Sequence, residues 1–170
     1  MAAAKACFQA HGASASLEQI ARDAGVGIGT LYRHFPTRDN LIEAVYRQET
    51  GQLTDAASEL LKSMAPVEAL RTWLFLFIEF LAAKQNLGAV LDTLIGGPEE
   101  LYGETPTHLS PSINTLVRAA NDTGQIRLEI EPLDLLRAIV GVATIRPGLG
   151  WKEHSVALVE LLLKGANRSL

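Results

Sequence analysis

The sequence predicts an all-α protein. Apolar residues recur at helical spacing over most of the chain, strictly alternating apolar and polar runs are scarce, and glycines and prolines stand where helices would begin or end. With 48% hydrophobic and 20% charged residues, the 170-residue chain has globular composition and suits one compact unit or two small ones sharing a core. It shows no repeat of solenoid length and no low-complexity tract.

The opening "AAAKACFQAHG" predicts a short helix carrying Ala6 and Phe8 that stops at Gly12, a residue able to take the left-handed conformation after a helix end. Ser16 with Gln19 three residues on is a capping-box pattern. It opens a second helix, to about residue 24, with Leu17, Ile20, Ala21 and Ala24 as its apolar stripe. A third, very short helix spans about residues 28–35, and Pro36 ends it because the residue before proline disfavours α geometry.

Thr37 caps a longer fourth helix from near residue 38 toward 64, with Leu41, Ile42, Val45, Leu53 and Leu60 as core candidates and Gly51 as the place for a bend. Pro66 fits the first turn of the next helix, apolar on nearly all sides through residue 83 and therefore enclosed by others. A shorter helix follows to residue 95, and "GGPEELYGETPTHLSPS" then reads as a long surface loop. Ser110 and Pro111 restart a helix as cap and first residue, and Gly124 closes it. Two helices complete the chain, over about 132–144 and 152–164, separated by "IRPGLG"; the stripe Val156, Leu158, Val159, Leu162 and Leu163 is broad enough to meet more than one neighbour.

The second and third helices, joined by Gly25-Val26-Gly27, form a helix-turn-helix. Gly25 supplies a positive φ, and Val26 plugs the angle between the helices. At about 100° per residue, Ile28, Leu31 and Phe35 fall on one side of the third helix, toward Ile20 and Ala21. Thr30, Arg33 and His34 fall opposite, with Gly29 beside them and Tyr32 on the flank. Such a face suits a major groove: Arg33 pairs with guanine, Thr30 meets a base edge or a thymine methyl, and Tyr32, His34 and backbone N–H groups take phosphates. Gly29, lacking a side chain, lets the helix approach the duplex closely. Arg38 would clamp a phosphate on the flank, and Ser16, at a helix start, another. The bland alternative for these polar residues is a solvated helix face.

The run "SLEQIARDAGVGIGTLYRHFPTRDNLIEAVY" resembles the DNA-binding domain of TetR/AcrR-family transcriptional regulators, over about residues 8–49. The segment "DTGQIRLEIEPLDLLRAIVGV" is similar to what precedes the dimer helices in many members. The resemblance implies an N-terminal three-helix domain over residues 1–48 and a helical ligand-binding and dimerisation domain over residues 49–170. It further implies a homodimer on a palindromic double-stranded operator, a small-molecule effector, and DNA contacts at Ile28, Gly29, Thr30, Tyr32, Arg33, His34 and Arg38. Dimerisation falls to the last two helices, packed as a four-helix bundle across a two-fold axis. Members begin with a longer first helix preceded by basic residues that touch DNA, whereas here "MAAAKACF" alone precedes the turn, so either the start is truncated or mis-assigned, or DNA affinity is reduced.

Charge is compatible with this but does not demand it. The net charge is −4, yet residues 1–48 hold five Lys/Arg against four acids, so placement matters more than bulk. Cys7 is the sole cysteine, which excludes an internal disulfide; with no secretory leader pattern a cytoplasmic setting fits, and "WLFLFIEFLAA" is too short to cross a membrane. The four histidines lack metal-site spacing, and no nucleophile elbow, phosphate loop or carboxylate pair appears, so neither metal, cofactor nor catalysis is expected. Trp73, Phe77 and Phe80 either line an effector pocket or form ordinary core, and Tyr102 and Trp151 are weaker candidates for the same pocket. Glu79, an acid within an apolar helix, must reach solvent, find a partner or bind something. The expectation is a ligand-responsive repressor; the alternative is a helical ligand-binding or interaction protein whose helix-turn-helix is vestigial.

Overall fold

A computed structural model describes residues 1–91, 105–145 and 150–167. Their elements are helical: α1 (Ala2–His11), a single 3-10 turn (Gly12–Ser14), α2 (Leu17–Asp23), α3 (Ile28–His34), α4 (Arg38–Ser63), α5 (Pro66–Leu91), α6 (Thr105–Asp122), α7 (Pro132–Ile145) and α8 (Trp151–Gly165). An isolated antiparallel bridge joins Ile126 and Asn167. The chain divides into two compact units, and two of the three boundaries fall inside helices: between Glu49 and Thr50 in α4, and between Ala82 and Ala83 in α5.

In the first unit, Phe8, Ile20, Ala21, Leu31, Leu41, Ile42 and Val45 form one buried core, with Leu17 and Phe35 packed on it. Gly12 ends α1 with φ 52°, and its N–H returns to the Phe8 carbonyl. The Lys5 ammonium on α1 pairs with the Glu49 carboxylate on α4. The cap of α4 is reciprocal: Thr37 Oγ1 accepts the Asn40 amide at 3.1 Å while Asn40 Oδ1 accepts the Thr37 amide at 3.2 Å. Ala24, placed on the buried stripe by spacing, is exposed, because it is already the C-cap residue of α2 rather than part of its regular turn.

In the second unit, buried residues of α5 (Leu70, Trp73, Leu74, Phe77 and Ile78) and of α6 (Leu109, Ile113 and Leu116) are joined by Leu135 and Ile139 of α7 and Val159 and Leu163 of α8. Trp73 stacks on Phe77 at 6.1 Å, and Phe77 on Phe80 at 6.3 Å. Two ion pairs set α5 against α8 in an antiparallel register, Lys152–Glu79 at 2.6 Å and Arg71–Glu160 at 3.4 Å; in each, one step along α5 is matched by one step back along α8. Asn121 ties the connection after α6, its side chain donating to the Leu128 carbonyl at 3.2 Å and accepting the Leu128 amide at 2.9 Å. Arg127 N–H then donates to the Ala166 carbonyl beyond α8.

Three expectations change. The expected loop is helical from Thr105, with Pro111 inside α6. The segment offers two hydroxyl-proline pairs as helix starts, Thr105-Pro106 and Ser110-Pro111, and the earlier one is used, which brings Leu109 into the stripe Leu109, Ile113, Leu116 and Ala120. Pro111 costs one backbone hydrogen bond, which that burial offsets. Secondly, α5 continues without a break past residue 83 to Leu91, since no proline or glycine interrupts it before Gly88; residues 92–95 of the expected extra helix, and Tyr102, lie outside the described residues. Thirdly, the buried stripe of α8 is Trp151, Ser155, Val159 and Leu163, and Val156 is exposed.

Candidate nucleic-acid interface

The turn between α2 and α3 is built by backbone hydrogen bonds. Val26 N–H reaches back to the Ala21 carbonyl at 2.9 Å and Gly25 N–H to the Arg22 carbonyl at 3.0 Å, with Gly25 at φ 69°; this is the Schellman pattern that closes a helix and redirects the chain. Val26 does not plug the interhelical angle as expected. It is 40% exposed, in the turn just past the end of α2.

α3 is anchored chiefly by Leu31, its one buried residue, with Phe35 half-buried just beyond its end. Gly29, Thr30, Tyr32, Arg33 and His34 are all exposed. Spacing places Ile28 inward with Leu31; it is 37% exposed, at the first position of the helix, where no preceding turn covers it. The seven-residue helix therefore presents a continuous outward face of one apolar, one aromatic, one hydroxyl and two nitrogenous side chains around a glycine. A Cβ built on Gly29 meets nothing within 4 Å, so the fold itself does not require glycine there.

Ser16 and Arg38 are placed differently. Ser16 Oγ accepts the Gln19 amide at 3.2 Å, the predicted cap, but Gln19 does not complete the box: its side chain bonds Asp23 and Arg22 instead. The Ser16 hydroxyl donates to Glu18 at 2.8 Å. That bond first, then the Glu18 backbone amide, hold the Glu18 carboxyl below its ordinary value against desolvation, with Arg22 adding least. Arg38, half-buried, directs its guanidinium to the carbonyls of Ala15 and Gly12. Gln19, given by the sequence only a capping role, instead joins Arg22 and Asp23 in a polar trio on α2; i, i+3 and i, i+4 spacing of charged and amide residues is the signal for it.

The remaining candidates lie in the second unit. Trp73, Phe77, Phe80 and Trp151 are buried, and Glu79 lies at the surface beside Lys152.

Residues 1–45 match the family model of bacterial regulatory proteins of the tetR family, and residues 65–167 match that of the SbtR-like transcriptional regulator C-terminal domain. This chain belongs to the TetR family. Among solved structures, the TetR transcriptional regulator SCO0520 from Streptomyces coelicolor is 37% identical, with 99% of this chain and 97% of that one covered and a TM-score of 0.85. A TetR regulatory protein from Mycobacterium vanbaalenii is 27% identical over 98% of this chain and 91% of its own, with a TM-score of 0.75. SmeT, the repressor of a Stenotrophomonas maltophilia multidrug efflux pump, shares the fold at 21% identity and a TM-score of 0.66, covering 99% and 88%. Curated proteins give no match. As a TetR-family transcriptional regulator, the chain carries its DNA-binding helix-turn-helix on α2 and α3. Among the described residues no helix is long and apolar enough to cross a membrane.

Proposed function

We propose that this TetR-family protein is a ligand-responsive repressor that binds a palindromic operator as a homodimer, each protomer laying α3 in a major groove. The observation that carries this is the outward face of α3, where Thr30, Arg33 and His34 stand exposed around a glycine that the fold does not need. Arg33 and Thr30 read bases, while Tyr32, His34 and the first backbone amides of α3 hold phosphates. Ser16 joins the phosphate contacts only by giving up its bond to Glu18. Homodimerisation is supported by Leu161, 68% exposed on α8 next to the exposed Val156 and Ala157. An effector bound in the second unit would favour one arrangement of the paired reading heads over the other and so lower operator affinity, in a cytoplasmic protein with no catalytic role.

Fluorescence anisotropy with duplexes from the gene's own promoter, in competition with random duplex, tests this. Selective, salt-sensitive binding is expected. Gly29→Ala supplies the sharper arm: alanine favours the helix by about 1 kcal/mol yet puts a methyl where the duplex approaches, so stability holds or rises while operator affinity falls. Selective binding undiminished by Gly29→Ala and by Arg33→Ala together would overturn the assignment of this face.

A further inference from the structure

Arg38 is the first residue of α4 and lies close in sequence to the reading helix, where a cation invites the role of phosphate clamp. Its guanidinium is engaged elsewhere. Nη1 donates to the Ala15 carbonyl at 2.6 Å, Nη2 donates to the Gly12 carbonyl at 3.3 Å, and Cζ lies 5.3 Å from the centroid of the Phe8 ring. These three partners make up the passage from α1 to α2: Phe8 is fully buried, Gly12 turns the chain at positive φ, and Ala15, also buried, immediately precedes the Ser16 cap. A planar fork that holds two separate acceptors in fixed geometry is what arginine offers and lysine, a single ammonium on a flexible stem, does not.

We infer that Arg38 is a positioning residue for DNA recognition: it fixes the entry of α2, and through the rigid turn at Gly25 the attitude of α3, and does not neutralise a phosphate. α2 has seven residues, so its direction is set almost at once by where the chain enters at Ala15 and Ser16. The turn that follows is closed by two backbone bonds and transmits that direction to α3. Further along the same helix, the Glu49–Lys5 pair holds α4 to α1, so the frame that Arg38 grips is itself held. This inference rests on the assignment of α3 as the reading helix.

The test uses the full chain with Arg38→Lys and Arg38→Gln, titrated on operator and random duplexes at several salt concentrations. Both variants are expected to lose operator affinity by about tenfold, as for loss of a charge-assisted hydrogen bond. Random-duplex affinity and the slope of log K against log salt should stay at their wild-type values. A phosphate clamp gives another pattern: Arg38→Lys keeps wild-type affinity, and Arg38→Gln flattens the slope by about 0.9. That result, or full operator affinity in both variants, overturns the inference. Amide exchange in the free protein supplies an arm independent of DNA: Arg38→Lys should speed exchange at Gln19 and Ile20, in the first turn of α2, ahead of the α4 amides. Unchanged exchange there overturns the inference as well. If wild-type protein shows no selective binding on any duplex, the proposed function fails, and the exchange arm still decides whether Arg38 sets α2.

Discussion

Trp73 on α5 donates its indole N–H to the backbone carbonyl of Leu53 on α4 at 2.7 Å, and both residues are buried. The bond fixes the depth at which the largest fully buried side chain among the described residues sits, at the head of the stack with Phe77 and Phe80. Trp73→Phe keeps an aromatic ring but removes the donor and some volume. It should cost about 1 to 3 kcal/mol, read as a lower urea midpoint at unchanged slope. An unchanged midpoint would mean that the bond contributes nothing net.

Ser155 has the opposite character. It is fully buried on the inner stripe of α8, and its hydroxyl has no hydrogen-bond partner among the described residues. Ser155→Ala removes an unsatisfied polar group with almost no change of shape, so stability should hold or rise by up to about 1 kcal/mol. A marked fall in the thermal midpoint would contradict this account of the hydroxyl.

Gly25→Ala should destabilise the first unit by about 1 to 2 kcal/mol, the cost of a side chain in the left-handed region. Nothing lies within 4 Å of the added Cβ, so strain rather than collision is responsible. Gly25→Asn, which tolerates that backbone better, should recover part of the loss in the same denaturation experiment. Equal losses for the two would point instead to a hidden steric clash.

The titration of Glu18 follows from the Ser16 bond. A carboxyl held below its ordinary 4.5 contributes stability that is complete above that value and disappears as pH falls through the lower folded value. Side-chain NMR should find the Glu18 midpoint below 4.5, and Ser16→Ala should move it upward. No movement in the variant would remove Ser16 as the main cause.

Leu161→Glu places a charge where the proposed dimer interface would bury an apolar side chain. Sedimentation should show the dimer dissociation constant raised by at least about tenfold, because burying an unpaired charge is costly. Wild-type assembly in this variant would move the interface away from α8.

Local chemistry made the first unit legible. Ser16, Gly25, Pro36 and Thr37 each mark a helix end through their own bonding or backbone preference, and the structure places each at such an end. What a residue faces is settled by distant parts of the chain. Helical spacing turns Ile28 inward and the turn gives Val26 a plugging role, yet both are exposed, since neither local signal registers how far the neighbouring helix reaches. The motif around Arg38 suggests a phosphate clamp, since carbonyls 23 and 26 residues away leave no trace in it. In the second unit, Pro111 was read as a helix start, although the start lay one hydroxyl-proline pair earlier. Of the alternatives for Glu79, the structure places it at the surface with Lys152 as its partner, a choice set by α8 and not by α5 itself.

The bridge between Ile126 and Asn167 gives the residues just past α8 an unexpected duty. Asn121 secures one side of the α6–α7 connection, and the Ala166 carbonyl receives Arg127 on the other. Residues that resemble a dispensable tail therefore serve as a clasp: trimming the chain after Lys164 would unfasten a segment some forty positions earlier.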